Sequence, residues 1–496
     1  MKRFLATILA AFFACCTAYA GPLQYLHGQT GRYGETGGGG TEIVGQTEVI
    51  ATYAEAIATG APVIIRDTRR WDFAAGEGML TEFKKANAMT GGALAGKTWA
   101  VAISPDNKLL STLSYTSPGL VNYLIEYNSE LATHTFNRLN EVIGGQPAGG
   151  APYIGGIAYS PDSKILSVAH ESSPFITSYL VDYDTELATY TFTKMGAVIG
   201  GNPSARGTCV AYSPNGEILS VGDGANPGKV TNYRVVYDSE AESYTFTKIG
   251  ALTLNYPNSL AYSLNGDILS VGYTGSPYLI NYRVEYDDGA GTYTFSEANA
   301  LTGGAAAGVV NGVTYSPNGE IISVAHTTSP YVTNYRIEYD TELATYTFTK
   351  MKPVNTNPEG IGRGVAFSPD GKILSVVHEG WRNLSNYFVT YDSGLATYTF
   401  TKIDNALYVQ PGGIGRGVAF SPDGEILSVA HEGTPYLTNY RNLWLTEVIT
   451  GPHAFNADTA DFSNSLLLNL TKSFGYAMEG GVASEAKTII KIFDLR

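Results

Sequence analysis

Four of the seven histidines in this 496-residue chain recur at one place in a repeated word: His170, His326, His378 and His431 each close an apolar run of the type "ILSVAH". A carboxylate follows three of them, as Glu171, Glu379 and Glu432. Imidazole beside carboxylate suits a metal, a proton relay or a charged ligand. A second explanation stands beside it: a copied unit carries its strand ends along, and an imidazole there can hydrogen-bond neighbouring backbone. Histidines on separate sheets stand several strand spacings of about 4.8 Å apart, too far to share one ion unless they converge on an axis.

Just downstream, Phe175, Tyr278, Tyr331, Trp381 and Tyr436 fall in equivalent loops, with Arg382 beside the tryptophan. A stiff ring at a loop tip offers large contact area at low entropic cost to a flat partner or a sugar. Alternatively, each ring folds down over its neighbour. Arg206, Arg363 and Arg416 precede the first strands of their units and are placed to pair with Glu379 and Glu432, as structural ion pairs or as a carboxylate- or phosphate-sensing set. The chain has no G-x-S-x-G elbow, no H-E-x-x-H and no calcium loop. No catalytic residue, metal or cofactor is therefore expected, and the protein is expected not to be an enzyme.

The elements that carry these residues form a repeat. A "SP" turn recurs seven times, at Ser104, Ser160, Ser213, Ser263 (followed by Leu264), Ser316, Ser368 and Ser421, spaced 50 to 56 residues apart. Each unit holds four strand-like runs; in the fifth they are "GVTYS" (312 to 316), "IISVAH" (321 to 326), "VTNYRIEYD" (332 to 340) and "TYTFTKM" (345 to 351). Pro-Asn-Gly and Pro-Asp-Gly between the first two are turn formers, proline fixing φ and glycine accepting a conformation other residues resist. Four antiparallel strands per period make one propeller blade. The seventh unit lacks its "TYTFTK" run, and "MLTEFKKANAMTGG" (79 to 92) stands before the first unit in its place. The N-terminal strand is thus expected to complete the last blade and abolish the open sheet edges. The reading is an all-β, seven-bladed propeller over residues 76 to 445, with the second-to-third-strand loops and the inter-unit loops gathered on one face.

The opening "MKRFLATILAAFFACCTAYAG" has the basic start, short apolar run and small-residue end of a secretory signal peptide, read as residues 1 to 20. Lipid attachment at Cys15 or Cys16 is an alternative; after cleavage Cys209 is the only remaining thiol. Residues 21 to 75 read as a Gly-rich linker with a short helix ("TEVIATYAEAIATG") and a strand ("APVIIRD"), and 446 to 496 as a small β-rich segment. No later run is long enough to span a membrane. Gly 57, Tyr 35 and only 15% charged residues fit a turn-rich β protein, and a formal charge of −14 without a Lys/Arg cluster argues against nucleic acid.

The combined words "VAFSPDG", "ILSVAH", "SPY", "TNY" and "TFTK" resemble the WD-repeat-like propellers of bacteriophage and prophage structural proteins, across residues 76 to 445. No unit has the Gly-His and Trp-Asp pair of WD repeats proper, and the third-to-fourth-strand hairpin is longer. The resemblance implies a non-enzymatic particle or surface component and assigns no catalytic residue; export by a signal peptide sits poorly with assembly inside a cell. The expected role is a secreted or virion-surface binding protein that contacts a cell-surface glycan or protein. The alternatives are a structural spacer or assembly subunit of a virion or envelope, and a propeller hydrolase such as a lactonase.

Overall fold

The computed structural model describes residues 86, 89–92, 94–128, 133–148, 156–343, 345–403 and 410–444, with the backbone of strands Glu48–Ile50, Thr81–Lys85, Phe455–Asn456, Asp461–Phe462, Phe474–Ala477 and Ile489–Phe493. It divides into Thr81–Leu443 and a second unit made of Met1–Leu80 with Trp444–Arg496. In the second unit Ile489–Phe493 pairs antiparallel with both Glu48–Ile50 and Phe474–Ala477. The helix expected over "TEVIATYAEAIATG" is corrected at its start, where Glu48–Ile50 is extended and paired; β-branched Val49 and Ile50 favour that state. The signal peptide, the Gly-rich linker and the strand "APVIIRD" lie outside the described residues.

Thr81–Leu443 is a seven-bladed β-propeller of four-stranded antiparallel sheets. The fifth blade runs Val310–Tyr315, Ile321–His326, Val332–Asp340, Thr345–Lys350, close to the four runs seen in sequence. Second strands such as Ile321–His326 and Ile426–His431 are buried along their whole length, because a neighbouring blade covers each face; hence the near-continuous apolar words. Third strands are buried in their inner half and exposed beyond it, so Tyr335 is fully buried while Tyr339 is 48% exposed.

Closure follows from strand order. Thr81–Lys85 lies beside Leu437–Trp444 in the sheet that holds Ile426–His431 and Gly415–Phe420, and Ala86 N donates to Asn439 O at 2.7 Å. The innermost strands touch in sequence around the ring, the last, Gly415–Phe420, meeting the first, Thr98–Ile103. Each pair of adjacent blades shares one apolar cluster. At the closing seam it is built from Leu110, Val121 and Tyr123 of the first blade with Ile426, Ala430 and Leu437 of the last.

Three polar ties recur within this apolar frame. Each first turn is locked by its serine: Ser316 Oγ donates to Asn318 Oδ1 at 2.6 Å and accepts Ile321 N at 2.9 Å. Between blades, Ser111, Ser167, Ser220 and Ser270 on second strands meet the hydroxyls of Tyr159, Tyr212, Tyr262 and Tyr315 on the next first strand, at 2.5 to 2.7 Å. Finally, the connector leaving one blade bridges in parallel onto the outer strand of the next, as Thr90 to Asn137, Ile143 to Thr193 and Ile199 to Thr247. The glycine after each bridge is in the left-handed region, at φ 81° for Gly91, 84° for Gly144 and 86° for Gly200. A Cβ there would lie 2.8 to 3.0 Å from the Cβ of Arg138, Lys194 or Lys248, so close approach and backbone hand both demand glycine.

Candidate functional site

The second-to-third-strand loops and the blade connectors meet on one face, as expected. Backbone bonds tie each loop to its own connector: Tyr115 N to Lys97 O at 2.7 Å, Thr327 N to Val309 O at 3.0 Å, Glu379 N to Ile361 O at 3.0 Å and Glu432 N to Ile414 O at 3.0 Å.

The four repeated histidines lie beneath these loops. His170 is 1% exposed and His326, His378 and His431 are 0% exposed. Each Nε2 shares a hydrogen bond with a third-strand hydroxyl: Thr177 at 2.8 Å, Thr333 at 2.9 Å, Ser385 at 3.0 Å and Thr438 at 2.8 Å. That partner is a side chain across the hairpin; at His378 the other ring nitrogen, Nδ1, also accepts from the neighbouring backbone N–H of Gly380 at 3.1 Å, as the structural explanation expects. Burial lowers the pKa of His170, His326 and His378 to about 4, so these imidazoles are neutral at pH 7. The equivalent position in the third blade is Asp223, also fully buried, whose carboxylate accepts from Ser204 N, Ser204 Oγ, Ala225 N and Lys229 N. One buried polar residue that pins the strand end is the shared feature.

The loop aromatics separate into two kinds. Phe175, Tyr278, Tyr331 and Tyr436 are half-buried with φ of 69°, 70°, 67° and 72°, and each carbonyl closes its hairpin by accepting from the residue at the histidine position. Tyr278 and Tyr436 also pack on the apolar clusters between blades. In the sixth blade this place belongs to Asn383, with φ 51° and the same bond to His378 N. Trp381 is thus not the counterpart of these rings. It sits two residues earlier, at the tip, and is 90% exposed. Next to it, Arg382 Nε is 4.0 Å from Glu359 Oε1, which Lys402 Nζ approaches at 3.7 Å.

Sequence reasoning missed what happens one step inward. Among the described residues, six innermost strands carry a bulge, at Trp99, Thr208, Asn258, Asn311, Arg363 and Arg416. A bulge leaves one residue unpaired and re-aims its side chain. In the third to fifth blades that residue reaches the next blade's backbone: Thr208 Oγ1 to Pro257 O at 2.6 Å, Asn258 Nδ2 to Val310 O at 3.2 Å, Asn311 Nδ2 to Gly362 O at 2.9 Å. In the sixth, seventh and first blades it is Arg363, Arg416 and Trp99, and the chemistry changes.

There the charges alternate across three blades. Lys97 Nζ donates to Glu432 at 2.6 Å, Arg416 Nε donates to Glu432 at 2.7 Å, Arg416 Nη1 lies 3.7 Å from Glu379, and Arg363 Nε donates to Glu379 at 2.8 Å. The Arg416 guanidinium also stacks 4.5 Å from the centre of the Trp99 ring. Burial alone would raise the Glu432 carboxyl, but hydrogen bonds from Lys97 and Arg416 and their charges outweigh it and hold it below the usual carboxylate range. Trp99 Nε1 is buried and has no hydrogen-bond partner among the described residues. Glu171 joins a separate pair, 3.8 Å from Arg206, which lies 5.5 Å over the Tyr256 ring. The sequence signal for the row was the "GRG" of the sixth and seventh first strands, where arginine is flanked by glycines that admit the bulge.

No protein-family profile matches the chain, and no curated protein matches it in sequence. Among solved structures it is similar to hydrazine synthase of Kuenenia stuttgartiensis, at 17% identity over 71% of this chain and 97% of that chain, with a TM-score of 0.45. A likeness at that level carries no argument about activity.

Proposed function

We propose that the protein is a non-enzymatic recognition propeller, exported or carried on a virion surface, that contacts a cell-surface glycan or protein through its loop face. The observation that carries this reading is Trp381. It is a tryptophan 90% exposed at a loop tip, and its only evident contribution is contact area, because a ring held in water adds nothing to the core. The same face carries the alternating Lys97, Glu432, Arg416, Glu379 and Arg363 row. Rings that stack on sugar faces, with fixed donors and acceptors beside them for hydroxyls, are the chemistry of glycan recognition. The likeness of the repeat words to phage and prophage propellers supplies the setting.

Purified full chain is tested against whole bacterial cells and isolated envelope glycans, with Trp381→Ala and Tyr436→Ala alongside. The expected outcome is saturable binding that falls at least tenfold in Trp381→Ala at unchanged Tm. Binding equal to wild type in both variants removes the loop face as the working surface. Absence of binding to any surface leaves the structural spacer as the reading.

A further inference from the structure

At the rim, the outer strands of the second to sixth blades each carry a tyrosine that faces the first turn of the preceding blade. Tyr244 donates to Asp162 at 3.1 Å, Tyr346 to Asp267 at 2.9 Å, and Tyr293 and Tyr398 bond Glu217 and Glu320. Tyr190 holds the same position in the second blade, where its hydroxyl bonds Lys108. At the closing seam two departures coincide. The outer strand of the first blade, Thr133–Arg138, carries His134 in place of tyrosine. The turn it faces in the last blade carries two acids, Asp423 and Glu425; elsewhere the pair is Asp with Lys (106/108, 162/164, 370/372) or Asn with an acid (215/217, 265/267, 318/320).

The geometry is that of a donor set. His134 is 4% exposed, its Nε2 faces Glu425 Oε2 at 3.5 Å, and its Nδ1 has no hydrogen-bond partner among the described residues. One donor atom from each of His134, Asp423 and Glu425 falls within 4.8 Å of the other two. We propose that His134, Asp423 and Glu425 form a divalent transition-metal site that clasps the last blade to the first.

Tetrahedral bonds of about 2.0–2.1 Å place donors roughly 3.4 Å apart, so the cluster must contract by about an ångström. Glu425 is 46% exposed and can swing inward. Imidazole with two carboxylates suits Zn²⁺ or Co²⁺ over Ca²⁺ or Mg²⁺, which take oxygen donors, and water completes the shell. Burial lowers the His134 pKa, which keeps the ring neutral and able to ligate, while burial and the charge of Asp423 raise that of Glu425. A bound cation relieves that crowding. Asp423 also accepts from Asn107 Nδ2 of the first blade and from Ser421 Oγ, which fixes its direction. The charge of Arg441 acts against the site, since it lowers the His134 and Glu425 pKa values, and it limits affinity. The ring of Tyr127 covers the imidazole at 5.1 Å.

The test titrates metal-stripped full chain with Co²⁺ and then Zn²⁺. Expected are one equivalent of Co²⁺ with a visible d–d band, displacement by Zn²⁺, and a rise in Tm of about 4 °C at a hundredfold excess over Kd, from linkage and the unfolding entropy of about 360 residues. His134→Tyr installs the residue used by the second to sixth blades, so it should fold, and it should abolish both the band and the shift. Glu425→Gln, on an exposed side chain, should weaken Co²⁺ binding at least tenfold and decides the matter alone if His134→Tyr does not fold. No band and no shift in wild type overturns the proposal. So does a band that survives both substitutions, since the metal would then sit elsewhere.

Discussion

Replacing Glu432 by glutamine tests the reading of the alternating charge row most directly. The carboxylate is 15% exposed and accepts from Lys97 and from Arg416, itself 15% exposed. Lys97 is 49% exposed, so its share is that of a surface pair, about 0–1 kcal/mol. Arg416 keeps Trp99 and the 3.7 Å approach to Glu379, so its loss falls short of the roughly 3–5 kcal/mol for stranding a fully buried charge. The expected cost is about 1–3 kcal/mol at pH 7. At about 2.1 cal/mol/K per residue over the propeller, that lowers Tm by roughly 1–4 °C. The pH dependence is more diagnostic. Because the folded state holds this carboxyl below its ordinary value, its contribution is complete above the unfolded pKa of about 4.3 and is lost as pH falls through the folded one. Wild type and Glu432→Gln should therefore differ at pH 7 and converge towards pH 3, as followed by Tm or urea midpoint. A constant difference at every pH would refute a charge-based role and leave shape alone.

Three further outcomes are expected. Tyr159→Phe should cost only about 0.5–1.5 kcal/mol, because Ser111 keeps Asn122 at 2.6 Å and Phe367 and Phe420 already fill this place in the last two blades; Ser111→Ala, which strands both Tyr159 and Asn122, should cost more, and equal urea midpoints would sink the argument. The neutral His170, His326 and His378 take up protons only near pH 4 when folded but near 6.5 when unfolded, so unfolding gains protons in that interval and stability rises with pH across it; His326→Gln should flatten that slope, and an unchanged slope speaks against a buried neutral ring. Gly156→Val should destabilise strongly, since even a Cβ there would meet Val210 N at 2.7 Å and Cys209 Cα at 2.8 Å; wild-type Tm would show the innermost strands to be less crowded than described.

The repeat made the blades legible because its turns and apolar words follow strand periodicity directly, and the missing seventh "TYTFTK" pointed to the strand at Thr81–Lys85. Burial of the histidines was not legible, since a residue that ends a buried run reads the same whether it turns up into the loop or down to Thr333. Trp381 was grouped with the tyrosines because both lie in the loop; only the hairpin closure by Asn383 shows the two-residue offset. The bulges escaped notice because one extra residue on an innermost strand leaves the alternation of the rest intact. Yet they decide which side chains, Arg363, Arg416 and Trp99, project together.

The strand swap that closes the ring also sets a clock. Thr81–Lys85 pairs with Leu437–Trp444, a partner made roughly 20 to 70 s later at ordinary rates of synthesis. For that whole interval the nascent arc has two raw ends, the first blade without its flank and the newest blade without its successor. Whatever receives the emerging chain must shield both until the final segment appears, and a chain cut short before residue 437 can never satisfy either.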